Sequence, residues 1–506
     1  MKRYAFLLMF FVVLGVNAQS TYEVARLFSE DLSGTARFVG MGGSMGALGA
    51  DLSVMGTNPA GIALYRGNDV AISGSLNTVD SKVNYIGTTN KNDNTFASFD
   101  NIGIVLANSF FDSGLKYLNI GVNYRRRNNF SKEFEMSGAG GFNHNDEWVQ
   151  LSQMYQMQQL FDLSTFDPLN ISYKNYTNMQ DYWLPLLGCD GGLLDENGAP
   201  LYLPDAVCYY SEEKGGVNEF DCNLSVNIDD RIYLGVTMGF YDVNYSRYSY
   251  YGEDDADGPI YTLHNWYETV GSGFDIKLGA IIRPFEFSPF KFGVAVHSPT
   301  WYSLTDRSSA LIEGPYDDLY MDTRDVDAYG DDYYVDYHLR TPWRFSASAS
   351  YTFGSFLAVN AEYEYADYSD VGMSYAGGGD MIPMEEEFES NMRGINTYRV
   401  GAELRLTDEF SLRCGYNYMS APFKKDAAKY TISATDTNTE YQNTFEKNTV
   451  TLGMGYNNKH FYIDAAYKLS IHDSDFYPYY DNEIVNPAAS VQNRQNQFVV
   501  TIGGRF

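Results

Sequence analysis

The chain has 506 residues, with 65 acidic against 35 basic side chains and a formal net charge of −30, a balance that excludes nucleic acid as a partner. Aromatic residues make up 16%, including 44 Tyr and 32 Phe, yet the mean hydropathy is −0.33. This length would suit three or four soluble domains, but no Pro-, Ser- or Gly-rich linker divides it, and many aromatics in a hydrophilic chain fit a transmembrane barrel with aromatic girdles and a polar lumen.

Lys2 and Arg3 form a basic n-region, Tyr4 to Val16 is apolar throughout, and Val16-Asn17-Ala18 is a small-residue cleavage pattern. Residues 1–18 therefore read as a secretory signal, leaving Gln19 as the mature terminus. No Cys follows the cleavage point, which disfavours a lipoprotein. The apolar run is too short for an anchor, and no later apolar stretch reaches 18 residues, so a helical membrane protein is excluded.

Residues 19–66 do not alternate. Tyr22 to Phe28 has weak helical character, Gly40 to Asp51 is rich in Gly and small residues, and Gly56-Thr57-Asn58-Pro59-Ala60-Gly61 follows. Asn58 is driven extended by Pro59, which itself lacks a donor, and small residues let backbone approach a wall closely. This segment reads as a non-helical plug, with Asn58, Pro59 and Ala60 at its hatch. Gly40, Gly42, Gly43 and Gly46 fit neither nucleotide fingerprint.

Residues 67–506 read as the barrel. Period-two segments are predicted at 69–80, 101–110, 116–129, 217–228, 231–248, 260–284, 290–303, 334–353, 355–369, 395–406, 409–419, 446–456, 459–471 and 494–506. In 398–406, Tyr398, Val400, Ala402, Leu404 and Leu406 oppose Arg399, Glu403 and Arg405. Short turns are expected at Asp112-Ser113-Gly114, Asp229-Asp230, 286–289, Gly354, Thr407-Asp408 and Asn457-Asn458. Long loops are expected at 81–100, 129–216, 249–259, 304–333, 370–394, 420–445 and 472–493. An even count with alternating tight turns and long loops specifies a fourteen-stranded antiparallel up-and-down barrel, all-β, with both termini periplasmic. The last strand alternates to Phe506, which resembles the C-terminal insertion signal of outer-membrane barrels and implies the barrel assembly machinery as a partner.

Inward Glu362, Glu364, Arg399, Glu403, Arg405, Arg413, Asp464 and Lys468 are expected to form a salt-bridged lumen gripping the plug. The acidic clusters Glu253-Asp254-Asp255 with Asp257, Asp317-Asp318, Asp331-Asp332 and Glu385-Glu386-Glu387 read as solvated loops in preference to cation sites at the outer leaflet. Cys222 and Cys414 face lipid on distant strands; Cys189 and Cys208 share a loop, leaving a disulfide open. His144, His264, His297, His338, His460 and His472 have no metal spacing, no nucleophile–base arrangement stands out, and neither a cofactor nor catalytic residues are expected.

Gly34-Thr35-Ala36-Arg37, Ala50-Asp51 and Asn58-Pro59-Ala60-Gly61 resemble the N-terminal hatch of the FadL/TodX transporters. Thr341-Pro342-Trp343-Arg344, the end of the strand at Tyr363 to Tyr368, and Tyr398-Arg399-Val400-Gly401 leading into Leu412-Arg413-Cys414-Gly415-Tyr416 are similar too; the resemblance covers roughly 20–75 and 335–506. It implies a monomeric fourteen-strand barrel passively importing long-chain fatty acids or aromatic hydrocarbons, with a wall gap at a kink in the third strand that maps to Gly121. Arg125, Arg126 and Arg127 then read as an anchor for lipopolysaccharide phosphates at the rim, with a clamp on a fatty-acid carboxylate as the second reading. Outer-membrane lipids and lipopolysaccharide are the implied surroundings. The rival is a non-transporting barrel of this fold serving secretion or surface attachment, to which the long acidic loops 129–216 and 304–333 give weight; an apolar lining above Asn58 favours transport. A TonB-dependent haem receptor would need about 22 strands and a full plug domain.

Overall fold

The computed structural model describes residues 21–28, 30–110, 114–139, 152–160, 183–195, 197–314, 320–322, 333–429, 436–479 and 487–506. The predicted signal, the turn residues Asp112 and Ser113, the clusters Asp317-Asp318 and Asp331-Asp332, and His144 lie outside the described residues. No described helix is long and apolar enough to cross a membrane.

Fourteen antiparallel strands close on themselves. They are β1 (Asp69–Tyr85), β2 (Thr88–Ser109), β3 (Leu115–Asn129, resumed at Lys132–Ala139), β4 (Ala206–Ile228), β5 (Ile232–Asp255), β6 (Gly258–Ile282) and β7 (Lys291–His297, resumed at Trp301–Glu313). Next come β8 (Tyr333–Arg340, resumed at Arg344–Phe353), β9 (Leu357–Asp367), β10 (Gly394–Arg405), β11 (Phe410–Met419), β12 (Tyr441–Asn457), β13 (Phe461–Tyr477) and β14 (Ala489–Arg505). Closure is the β1–β14 ladder, from Asp69 opposite Arg505 to Asn84 opposite Ser490. β7 and β8 break side by side at Pro299 and Pro342, which have no ladder donor. Thr341 N–H to Thr300 O (3.1 Å) and Thr300 N–H to Thr341 Oγ1 (2.8 Å) stitch the break.

The strands are longer than their sequence pattern predicts. Two of the expected long loops, 81–100 and 249–259, are largely strand: β1 and β2 meet at Ile86-Gly87, both at positive φ (40° and 79°), and β5 meets β6 across residues 256–257. Part of 129–216 is strand as well. The reason is solvent. Within the membrane the outer face must be apolar, so hydropathy alternates; above it both faces tolerate polar residues, and the period vanishes.

The lipid belt is short and sits toward the termini. On β6 it runs from Phe274 through Ile276 and Leu278 to Ile282, about nine residues, which suits a tilted strand crossing a hydrocarbon core. Aromatic pairs mark its outer edge (Phe240–Phe274, ring centroids 5.4 Å; Tyr363–Tyr398, 5.1 Å) and its terminal edge (Phe410–Tyr456, 5.1 Å). Above Phe274, β6 continues for roughly 50 Å along the strand at about 3.3 Å per residue.

Three layers fill the lumen. Lowest is the hatch, residues 30–65, containing α2 (Ala36–Gly40) and two 3-10 turns, Leu52–Gly56 and Pro59–Leu64. Its turns are locally capped: Thr35 Oγ1 accepts from Phe38 N–H (3.1 Å), Asp51 from Ser53 N–H (2.9 Å) and Asn58 from Ala60 N–H (3.2 Å). The middle layer is α1 (Thr21–Phe28) with α5 (Ile382–Asn391), packed through Tyr22, Leu27, Met384 and Phe388 into one apolar cluster. At the top, α3 (Met154–Leu160) and α4 (Trp183–Asp190) bury Met154, Met157, Trp183 and Leu187 against Tyr85, Tyr261 and Phe476 of the wall.

Hatch and wall meet backbone to backbone where the wall has glycine. A Cβ on Gly279 would stand 2.1 Å from Asn58 Oδ1, on Gly401 2.3 Å from Met41 O, and on Gly415 2.2 Å from Gly42 N. Gly279→Val should therefore unseat the hatch without opening the barrel. The expected result is at least a roughly tenfold loss of hydrogen-exchange protection over residues 36–64 with heat-modifiable migration retained; unchanged protection would refute the tight seating.

Candidate functional site

Polar side chains of the wall hold the hatch chiefly by its backbone. Asn119 Nδ2 donates to Ile62 O (2.7 Å), Lys291 Nζ to Leu48 O (2.9 Å) and Lys468 Nζ to Leu32 O (3.1 Å), while Thr501 Oγ1 accepts from Ala36 N–H (2.7 Å). Asn58 Nδ2 donates to Gly46 O (2.8 Å) and Asn223 Nδ2 to Pro59 O (3.3 Å); Asn58 and Ala60 are buried.

A charge lattice joins these contacts. Lys277 reaches Glu219 (2.5 Å), Asp221 (2.8 Å) and Asp275 (3.2 Å) at zero exposure. Glu219 also pairs with Arg125, and Glu30 of the hatch pairs with both Arg127 and Arg344. On the opposite side, Arg399 binds Glu362 (2.8 Å) and Glu364 (3.2 Å), while Arg413 binds Glu403 (2.7 Å) and Asp464 (2.5 Å); hatch Arg37 joins at Glu403 (2.9 Å). Burial pushes the Asp31 carboxyl up, but Lys447 (2.7 Å) and Lys468 outweigh it and hold it at about 2. Arg127 and Arg344 likewise overcome burial at Glu30 and keep its carboxyl below the usual range.

Above the hatch lies a cavity of about 290 Å³. Leu32, Phe38 and Thr57 bound it from the hatch, and Tyr22, Met392 and Phe423 supply apolar wall; Arg26, Arg125, Lys132, Arg399, Lys447 and Arg494 bring cations against the carboxylates of Glu30, Asp31, Glu213 and Glu364. Arg26 is held by Glu23 (3.2 Å) and by Tyr245 OH (2.6 Å), and Arg399 and Lys447 are paired as above. Lys132 lies over the Phe134 ring at 5.5 Å and makes no ion pair among the described residues. The arrangement can bury an apolar chain and offer one uncommitted ammonium to an anionic head.

The wall splits beside this cavity. β2 and β3 pair only from Ser109 opposite Tyr117 to Asn101 opposite Arg125, although both strands continue upward. At that level Asp100 bulges out of the β1–β2 register and Arg127 out of the β3–β4 register. Phe99 and Tyr124 stack at 5.5 Å at the lower edge, and Val79, Asn128 and Ser131 carry the cavity toward the split.

These positions correct four expectations. Gly121 is no kink: it pairs with Val105 and Asn223 in an unbroken ladder, and a Cβ there would meet Met55 Cε at 2.3 Å, so its smallness admits the hatch. Arg125 and Arg127 are not a rim anchor, because inward parity and the bulge bury both in the lattice; Arg126 is half-buried between them. Arg405 is exposed at the terminal end, outside the lattice. Glu253 is buried rather than solvated, accepting from Gln153 N–H (2.5 Å) and Tyr251 OH (2.7 Å) to hold the cap. Phe506 is exposed and exchanges backbone hydrogen bonds with Asn68 (3.2 Å each). No disulfide joins Cys189 to Cys208, and no described cluster of His, Cys, Asp or Glu is arranged to hold a metal.

Sequence reasoning missed Lys277, Glu219, Asp221, Asp275 and Glu30. The first four carried a readable signal, since each stands at the parity opposite Phe220, Cys222, Phe274, Ile276 or Leu278 on a membrane strand. Glu30 lies in a stretch without period and gave none.

No family model matches the chain, and no curated protein matches it in sequence. Solved structures do. A Pseudomonas aeruginosa FadL homologue superposes with a TM-score of 0.54 at 12% identity, covering 94% of this chain and 99% of that one. The P. putida toluene transporter TodX gives 0.50 at 14% identity over 94% and 99%. The chain shares their fold.

Two outcomes are expected. Lys277→Met strands Asp221 and Asp275 in the lumen, leaving Glu219 to Arg125 alone, and should cost about 3–5 kcal/mol, read as a lowered unfolding temperature in detergent, with Asp221→Asn recovering part of it. Asp31, with its pKa depressed, stabilises hatch seating above its unfolded pKa and loses that contribution as pH falls through about 2. Protection factors of the hatch amides, taken against the intrinsic exchange rate at each pH, should therefore be flat from pH 7 to pH 5 and fall only in strong acid.

Proposed function

We propose that this chain is a bacterial outer-membrane barrel that passes hydrophobic small molecules inward without energy coupling, most readily long-chain fatty acids. On this reading it is exported with cleavage near Ala18 and works as a monomer after insertion by the barrel assembly machinery. The supporting observation is the amphiphilic cavity above the hatch, with Tyr22, Phe38, Met392 and Phe423 for an acyl chain and Lys132 for its carboxylate. Each CH₂ moved from water into such a site gains roughly 0.8 kcal/mol, enough to drive loading without ATP. The split between β2 and β3 starts at the girdle row of Phe99 and Tyr124 and opens upward, so it offers a lateral way between the cavity and the outer edge of the membrane. The Asn58–Gly46 tie holds the floor of the cavity in its loading shape, so its loss would impair loading while the charge lattice keeps the hatch in place.

The scaffold reading draws support from the apolar cap of α3 and α4 across the outer mouth. Uptake of labelled oleate separates the two. In cells lacking the protein, wild type should restore uptake, and Asn58→Ala should reduce it about tenfold in the ratio of restored rates, on the order of 1.4 kcal/mol. Lys132→Met should slow oleate while sparing dodecane. No difference between the deletion and wild type, with the barrel inserted, would favour the scaffold.

A further inference from the structure

On the outer wall, well above the lipid belt, five rings form a continuous row across β4, β5 and β6. Tyr210 stacks on Tyr250 (centroids 5.7 Å), Tyr250 meets His264 (5.9 Å), His264 stacks on Tyr248 (6.0 Å) and on Trp266 (6.2 Å), and Tyr248 meets Trp266 (5.6 Å). Tyr248 OH and His264 Nδ1 share a hydrogen bond of 2.8 Å, which fixes both rings. Beside Tyr248 and Trp266 a groove of about 310 Å³ opens, at the lower end of the roughly 300–1,000 Å³ typical of ligand sites. Its rim carries two ion pairs, Glu212–Lys214 (2.6 Å) and Glu268–Arg307 (3.5 Å). Cross-strand ring pairing stabilises a sheet, but it does not call for a groove with a paired polar rim.

The chemistry of this groove selects its occupant. At the rim Glu212 and Glu268 answer Lys214 and Arg307, and the third cation of the lining, Arg247, is committed to Glu23 (2.8 Å) and Glu440 (3.2 Å) of the lumen, so no unpaired cation is left to attract a phosphate. The four charged groups leave it too polar for an acyl chain. A pyranose has what the groove complements: an apolar C–H face that lies flat on an aromatic ring, and edge hydroxyls that donate to carboxylates and accept from guanidinium and ammonium groups. Height and direction narrow the source. Tyr248 lies roughly 25 Å along the strand beyond the girdle residue Phe240, at about 3.3 Å per residue, and its side of the wall faces sideways. What stands there is the sugar layer of the surrounding outer leaflet.

We propose that this groove binds uncharged sugars of the lipopolysaccharide core, docking the barrel's outer wall into that layer independently of whatever the lumen carries. The test is calorimetric titration of the purified full-length barrel in detergent with core oligosaccharide released from the producing strain's lipopolysaccharide and dephosphorylated. Saturable binding is expected, weakened at least tenfold by Trp266→Ala and by Arg307→Ala, with heat-modifiable migration and oleate uptake unchanged in both. No saturable binding by wild type, equal binding by Trp266→Ala, or binding only to the phosphorylated core would overturn it; the last outcome would make this a phosphate site.

Discussion

The lower barrel depends on how its buried charge is compensated. A strand that shows lipid an apolar side chain must turn its alternate residues into the lumen, and in this chain those residues are charged. An isolated ion there would cost several kcal/mol, so most are matched by opposite charge (Lys277 against three carboxylates, Arg399 against two, Arg413 against two), while Lys291 and Lys468 are met by backbone carbonyls of the hatch. The wall does not complete this compensation alone. Glu30 answers Arg127 and Arg344, and Arg37 answers Glu403, so the hatch is part of the electrostatic structure of the wall.

This division of labour explains what the sequence made legible. Inside the membrane a strand has one permitted pattern, and the segments at 395–406 and 409–419 could be read off it nearly to the residue, while those at 459–471 and 494–506 were found only at their membrane ends. Above the membrane the constraint lapses. Residues 88–99 of β2 are partly exposed on both faces and read as loop, yet they are strand, since backbone pairing with β1 needs no hydropathy signal. Arg125 and Arg127 failed for a subtler reason. Three consecutive arginines at a strand end look like a surface patch, although Arg125 and Arg127 share the inward parity of Gly121 and Asn123, with Arg127 seated at the β3–β4 bulge.

The cavity was only partly legible. Its floor could be anticipated from the small residues around Asn58, whereas its roof is built by α1, which is amphipathic but too short to announce a place in a lumen, and by α5, which has almost no amphipathic signal. The cap of α3 and α4 fills the outer end with apolar side chains, which directs attention to the split at Asn101–Arg125 as the less obstructed side of the cavity.

The seam between β1 and β14 has a consequence for biogenesis. Only three residues, 66–68, separate the hatch from β1, and the partner of β1 is the last strand of the barrel. Ala36 of the hatch is hydrogen-bonded to Thr501 of that final strand, 465 positions away. Glycine contacts this close leave no clearance for threading a folded plug into a finished cylinder. The N-terminal segment must already be lodged when the two edges meet, so the barrel is closed around it, and the slow long-range pairing of first strand with last is also the step that locks the floor in place.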